Sequence, residues 1–137
     1  MAPFWLILEQ HYADVILSGH EHLYERFAPQ TSTGTASVSG IRQFTVGMGG
    51  RSHYSFGTPL ANSEARNATD YGVLELKLQQ GRYAWAFHSA SGSYTDSGSE
   101  LCVVPPMPPG ASCGLGPELA LLVPMLRRLR SQPARPT

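Results

Sequence analysis

The residues in this sequence best suited to chemistry are two histidines that stand one residue apart. His20 and His22 lie in the segment Gly-His-Glu-His-Leu. In an extended chain, side chains two residues apart point to the same face, so both imidazoles would lie on one side and Glu21 on the other. Imidazole is a common ligand of zinc and iron, and two-metal hydrolytic sites hold their ions about 3.5 to 4 Å apart. The spacing favours one ion for each histidine, although an isolated His-x-His pair is more often a chance pair on a solvated loop.

The elements around the histidines predict a sheet that presents them at the end of a strand. Residues 3–12 carry Phe4, Ile7 and Leu8 at helical spacing, which predicts a short amphipathic helix. Residues 14–18 are mostly apolar and are followed by a glycine, which is typical of a buried strand. A helix that leads into such a strand indicates an α/β arrangement.

Further along the chain the sequence predicts strands and loops. Residues 41–46 form a second strand, which is followed by a glycine-rich turn. Apolar and polar residues alternate in residues 73–78 and 83–88, and the turn sequence Gln-Gln-Gly-Arg separates the two runs. This pattern predicts an antiparallel hairpin. Residues 30–40 and 51–70 lack such periodicity and are predicted to be loops.

The composition limits the size of the fold and the nature of its partners. With 137 residues, of which 42% are apolar, the chain has enough length for one globular core. Ten basic and ten acidic residues give no net charge, so no global field favours nucleic acid or an anionic membrane, and no nucleic-acid partner is expected. The first residues lack the basic region of a signal peptide. Cys102 and Cys113 could form a disulfide or remain free.

A change in composition after the hairpin marks a predicted boundary. Residues 89–100 are almost entirely serine, glycine, threonine and acidic residues, and residues 105–110 read Pro-Pro-Met-Pro-Pro-Gly. Such a proline-rich stretch is typical of an extended linker. We therefore expect a globular unit at residues 1–104 and a disordered linker and tail at residues 105–137. The apolar run in the tail falls short of the roughly 20 residues that a membrane span needs.

A longer motif places the two histidines in a known context. The pattern Gly-His-x-His-x-Tyr-Glu-Arg, which ends at Arg26, resembles the closing motif of purple-acid-phosphatase-like (calcineurin-like) metallophosphoesterases. Met48 departs from the resemblance, because a threonine is more usual at that position. The similarity to the C-terminal third of secreted bacterial members covers roughly residues 1–104 and includes residues 13–19, 27–30, 40–44, 46–50, 71–74 and 94–98.

The resemblance implies a fold, a reaction and a set of roles. The fold would be α/β, and this chain would supply the C-terminal strands of the family's layered β-sandwich, mostly β within the chain itself. The reaction would be hydrolysis of a phosphate ester at a dinuclear centre of iron, zinc or manganese. His22 would bind the first metal and His20 the second, more exchangeable one. Tyr24, Glu25 and Arg26 would lie in the outer shell of ligands, with a Glu-Arg pair that holds the loop. An ordinary surface ion pair is the alternative for Glu25 and Arg26.

The resemblance also implies ligands that this sequence lacks. The family's other ligands come from Gly-Asp segments, a Gly-Asn-His segment and a further histidine, and none of these is present. Two imidazoles without a bridging carboxylate cannot hold two ions together. We therefore expect that the chain alone does not retain the centre and is inactive, as a fragment of a larger enzyme. The alternative is a non-catalytic, exported, β-rich surface module or a weak metal binder.

The sequence also carries weaker signals of localisation and of local structure. Extracellular or cell-surface localisation is implied by the resemblance, and the tail is similar in layout to bacterial sorting signals that anchor proteins at the surface.

His53 is expected to be a solvated loop residue and His88 a structural one. The glycines at residues 47–50 are expected to turn the chain rather than to bind an anion. Asn67 begins a glycosylation triplet of a kind that is frequent by chance.

Overall fold

The computed structural model describes residues 3–105, which contain one short helix and seven strands. The predicted linker and tail from residue 106 onward, and with them Cys113, lie outside the described residues. The described part is mostly β, as predicted. The elements are α1 Pro3–Gln10, β1 Val15–Ser18, β2 Tyr24–Phe27, β3 Arg42–Val46, β4 Ser63–Asn67, β5 Gly72–Gln79, β6 Arg82–Ser89 and β7 Thr95–Leu101.

The strands form two sheets. The first has the order β1-β3-β2-β4, in which β1 runs parallel to β3 and the other pairs are antiparallel. The second is an antiparallel meander with the order β5-β6-β7. The predicted hairpin is confirmed as β5 and β6, which pair from Gly72 with Ser89 to Gln79 with Arg82. Gly81 in the turn has a φ of 72°, a conformation that glycine adopts without strain.

An aromatic core lies between the two sheets. Tyr24 and Phe44 from the first sheet belong to one buried cluster with Tyr83, Trp85 and Phe87 from β6. The ring centroids of Phe44 and Trp85 are 5.6 Å apart, within the range of favourable edge-to-face contacts. Because the inner faces of both sheets share this cluster, the described residues form a two-layer β-sandwich.

Met48, the residue that departs from the family pattern, is part of the same core. It is fully buried within the aromatic cluster. A flexible thioether fills irregular gaps between rings and makes favourable contacts with their edges. A methionine in place of the more usual threonine therefore affects the packing of the core next to the glycine-rich turn.

Next to the core, a charged layer is formed by Arg26, Arg42, Glu64, Asp96 and Glu100. Arg26 and Arg42 both lie over the Trp85 ring, with their guanidinium carbons 5.1 and 4.9 Å from its centroid. Arg42 also binds Glu64 and forms a two-point pair with Glu100. Paired and hydrogen-bonded charges can be buried in this way, whereas a single unpaired one would be costly.

Three strands were not predicted, and their inner faces explain why. β2, β4 and β7 place Arg26, Glu64 and Asp96 toward the charged layer, so their sequences lack an alternating apolar pattern. Accordingly, the prediction of loop throughout residues 51–70 is wrong, because β4 lies within it. Ion pairs between residues far apart in the sequence stabilise these strands. The pattern of apolar residues within one segment does not reveal such pairs.

α1 and β1 are less buried than predicted. α1 is confirmed as a helix, but it buries no residue, and Phe4, Leu6 and Ile7 are exposed. β1 was predicted to be buried, yet Leu17 is 58% exposed. Within residues 3–105, no helix has the length and apolar character needed to cross a membrane.

Asp96 makes the charged layer sensitive to acid. Its carboxylate accepts hydrogen bonds from the Tyr24 hydroxyl at 2.6 Å and from Arg26 Nε at 2.7 Å. Burial alone would raise the pKa of Asp96, but the bonds from Arg26 and Tyr24 outweigh it and lower the pKa below its ordinary value of 3.8. A carboxyl whose pKa is lowered stabilises the folded state above its unfolded pKa, and this contribution is lost as the pH falls through the folded pKa.

Asp96→Asn should therefore lower stability at neutral pH by about 2 kcal/mol and flatten its dependence on pH below about pH 4. Thermal unfolding followed by circular dichroism between neutral pH and acid would measure both effects. Glu75→Gln, which alters an exposed surface pair with Lys77 and His88, is the control and should change stability by less than about 1 kcal/mol. Equal acid sensitivity in Asp96→Asn and the unaltered chain would contradict this role for Asp96.

Candidate metal-binding site

The two candidate histidines lie in a bend between β1 and β2. Because β3 lies between these two strands in the sheet, residues 19–23 must carry the chain past the end of β3 and reverse its direction. Two tight turns accomplish this: Glu21 N–H donates to Gly19 O at 2.9 Å, and Leu23 N–H donates to Glu21 O at 2.8 Å. The predicted extended conformation of His20–His22 is therefore wrong, and alternation along a strand does not determine where the imidazoles point.

His20 lies at the outer part of this bend. Its φ is 71°, a left-handed conformation that is uncommon outside glycine, and the residue is exposed. Such conformations persist where surrounding structure enforces them. Here the hydrogen bonds of the neighbouring turns supply that constraint.

Gly47 packs directly against the backbone of the bend. It follows β3, and its N–H donates to Leu23 O at 3.1 Å. A Cβ atom at Gly47 would lie only 1.9 Å from the carbonyl oxygen of Glu21. The first glycine of the glycine-rich turn therefore allows the backbone of the bend to pack directly against the end of β3, a close approach that a side chain would prevent.

His22 is held by a segment from the predicted loop 51–70. Its Nδ1 lies 2.9 Å from the carbonyl oxygen of Ser52, and its ring stacks on Tyr54 with centroids 4.2 Å apart and planes 19° apart. The Tyr54 N–H donates in turn to the His22 carbonyl at 3.0 Å. Since Nδ1 contacts a carbonyl, Nε2 is the nitrogen that remains for a ligand. Metal-binding histidines commonly use their second nitrogen in this way.

Tyr24, Glu25 and Arg26 lie on β2, and the predicted pairing between Glu25 and Arg26 is wrong. Successive residues of a strand point to opposite faces, so these two side chains cannot meet. Glu25 is buried and accepts a bond from the Ser63 hydroxyl at 2.6 Å, whereas Arg26 binds Glu64 and Asp96 in the charged layer.

Tyr24 is turned into the interior. The residue is fully buried and donates from its hydroxyl to Asp96. Burial raises the pKa of Tyr24, and the neighbouring Asp96 carboxylate raises it further, so the hydroxyl stays protonated as a donor. Tyr24 and Arg26 thus connect the strand after the histidines to β7 of the second sheet.

Three other residues named in the sequence analysis, His53, His88 and Asn67, contact neighbouring side chains of the fold. His53 was expected to be solvated, but its ring packs on Tyr71 with centroids 4.2 Å apart, and its Nε2 is buried without a partner among the described residues. His88 is exposed and lies 2.9 Å from Glu75 Oε2. Asn67 is buried, and its carbonyl oxygen accepts bonds from the following turn, which leaves it poorly placed for glycosylation.

The bend places the two candidate ligands close together in the chain. His22 has a fixed ring with one nitrogen left over, and His20 lies two residues away on the same bend. Residues 3–105 nevertheless contain no group of three or more His, Cys, Asp or Glu side chains arranged to hold a metal ion. The two imidazoles by themselves therefore do not make a complete metal site.

Comparison with known proteins identifies the fold. No protein-family model matches the chain, and no curated protein matches it. A solved structure, purple acid phosphatase PPD1 from yellow lupin (Lupinus luteus) seeds, matches 72% of this chain with a TM-score of 0.62 at 20% sequence identity. The matched region spans 19% of the lupin chain, about a fifth of its length. At this identity the likeness shows a shared fold, that of part of a purple acid phosphatase.

Proposed function

We propose that this chain supplies the C-terminal part of a metal-dependent phosphoesterase. The fold is that of a segment of a purple acid phosphatase, and the Gly-His-x-His-x-Tyr-Glu-Arg motif lies at the end of β1 within it. The single observation that carries the proposal is the state of His22, whose ring is fixed through Nδ1 and leaves Nε2 for a metal ion. In this proposal His20 and His22 bind two ions of iron, zinc or manganese.

The metal pair, when bound, would polarise the phosphoryl oxygens of a phosphate ester. The residues of this chain hold and orient its ligands. Gly47 lets the bend pack on the end of β3, and Ser52 fixes the His22 ring. Tyr24 and Arg26 attach the strand that follows to the second sheet through Asp96. Ligands on rigid elements keep their geometry better than ligands on free loops.

The remaining ligands would come from a segment outside this chain. We expect the 137-residue chain to hydrolyse p-nitrophenyl phosphate no faster than its His20→Ala, His22→Ala double variant when zinc, iron or manganese is added. Two imidazoles without a bridging carboxylate cannot hold both ions. Release of p-nitrophenol measures the rate. Metal-dependent turnover that the double variant loses would show that this chain holds a complete site.

The positive test adds the missing ligands. Reading the DNA upstream of the Met1 codon in all three frames would reveal any Gly-Asp and Gly-Asn-His segments. A longer protein that contains them should show metal-dependent turnover, which His22→Ala lowers about 100-fold or more and which His88→Ala, at an exposed histidine of β6, leaves unchanged. A folded longer protein without turnover with any of the three metals would overturn the proposal and favour a non-catalytic module.

A further inference from the structure

We propose that Tyr54 and the Ser52 carbonyl are positioning groups, which hold His22 with its proton on Nδ1 and so select Nε2 as the metal-binding nitrogen. The role in metal binding rests on the proposed function. The tautomer itself is a property of the chain without metal, and it can be measured independently.

The tautomer follows from the contact with Ser52. A backbone carbonyl oxygen only accepts hydrogen bonds, so the 2.9 Å contact with His22 Nδ1 requires that this nitrogen carry the proton. A neutral imidazole has one ring proton, which leaves a lone pair on Nε2. An unconstrained histidine in water holds its proton mainly on Nε2. The contact therefore reverses the ordinary preference and prepares Nε2 as a ligand.

Tyr54 fixes the orientation of the ring. Its own ring lies nearly parallel to the imidazole, and its backbone N–H binds the His22 carbonyl at 3.0 Å. The side chain and the backbone of His22 are thus both held by one residue. Tyr54 is 44% exposed, so its ring forms a lid over one face of the imidazole rather than part of the core.

The segment 52–54 is itself anchored to the second sheet. His53 packs on Tyr71, the residue before β5, with ring centroids 4.2 Å apart. Tyr54 and Ser52, on either side of His53, contact His22. The contact of His53 with Tyr71 therefore also fixes the orientation of the His22 ring relative to the start of β5. The segment 52–54, which begins 30 residues after His22 in the sequence, is held in place by this contact.

The experiment uses the full chain labelled with ¹⁵N, free of metal and kept above about pH 8, well above the pKa of about 6.5 of imidazole in model peptides. Two-bond ¹H–¹⁵N correlation spectra distinguish protonated from unprotonated ring nitrogens. We expect His22 to show mainly the Nδ1–H form. Tyr54→Ala should lower the ratio of Nδ1–H to Nε2–H by about two- to tenfold and abolish the ring-current shifts of the imidazole protons. Tyr54→Phe keeps the ring and should preserve both.

His88 provides the internal control, because its ring contacts Glu75 and not Ser52 or Tyr54, so its spectrum should be the same in all variants. The inference is overturned if His22 in the unaltered chain is mainly Nε2–H, or if Tyr54→Ala changes neither the tautomer nor the shifts. If the Nδ1–H form is found but the longer protein has no phosphoesterase activity, the positioning role stands and the proposed function fails. The two failures are therefore distinguishable.

Discussion

Gly47→Ala should destabilise the sandwich by about 3 kcal/mol and displace the bend that carries both histidines. The new methyl group would meet the Glu21 carbonyl oxygen at 1.9 Å, a contact between two backbone segments. β3 cannot move away, because it is paired with β1 on one side and β2 on the other. The bend must yield instead. Urea unfolding followed by tryptophan fluorescence would measure the loss of stability, and the His22 ring shifts would report the displacement.

Gly49→Ala is the matched control for this prediction. Gly49 lies in the same glycine-rich turn, is exposed, and has no atom within 4 Å of the position that a Cβ would occupy. We expect its alanine variant to change stability by less than about 0.5 kcal/mol, as at other unconstrained surface positions. Equal effects at Gly47 and Gly49 would show that flexibility of the turn, rather than close packing against the bend, explains the glycine at position 47.

Elements with apolar periodicity were predictable, and elements stabilised by distant charges were not. β5 and β6 alternate along their length, so the hairpin and its turn could be recognised from the sequence. β7 reads Thr-Asp-Ser-Gly-Ser-Glu-Leu, with Asp96 and Glu100 directed at arginines of the first sheet. A strand of this kind looks like a polar loop until its partners, 58 to 70 residues away, are known.

The motif marks His20 and His22 as candidate ligands, which stays a prediction, and it gives no information about their surroundings. The bend that carries them follows from the position of β3 between β1 and β2. The contacts of His22 with Ser52 and Tyr54 span 30 and 32 residues and leave no local pattern in the sequence. Because no periodicity marks such contacts, the sequence predicts a surface loop here but not what the loop contacts.

The buried arginine of the charged layer should be the most costly side chain to remove. Arg42→Met is expected to lower the free energy of unfolding by about 3 to 5 kcal/mol, since it breaks the two-point pair with Glu100 and the bond to Glu64. The Arg42 side chain is only 4% exposed, so water cannot replace these partners fully. Chemical denaturation at neutral pH would measure the loss, which is a large share of the roughly 5 to 15 kcal/mol that stabilises a domain.

The pH dependence of this loss identifies its cause. Burial raises the pKa of Glu100, but the bonds from Arg42 and Tyr83 outweigh it and lower the pKa below its ordinary value of 4.5. Without Arg42 the burial effect should prevail and raise the pKa of Glu100 above that value. A group whose folded pKa is raised destabilises the folded state above its folded pKa and ceases to do so once it is protonated. The deficit of Arg42→Met should therefore begin to shrink above about pH 4.5, where Glu100 of the variant becomes protonated, and should shrink further below that pH, where the unaltered chain loses the stabilisation from its own Glu100.

Arg82→Met separates the charged layer from a general loss of positive charge. Arg82 is exposed and, within residues 3–105, makes one side-chain bond, to the Ser99 hydroxyl, so we expect a change of less than about 1 kcal/mol at any pH. Similar losses in both variants would attribute the effect to net charge. A constant deficit in Arg42→Met across the acid range would mean that the missing contact with Trp85, rather than an unpaired Glu100, accounts for the lost stability, because the stacking energy on that ring is independent of the protonation of a carboxyl group.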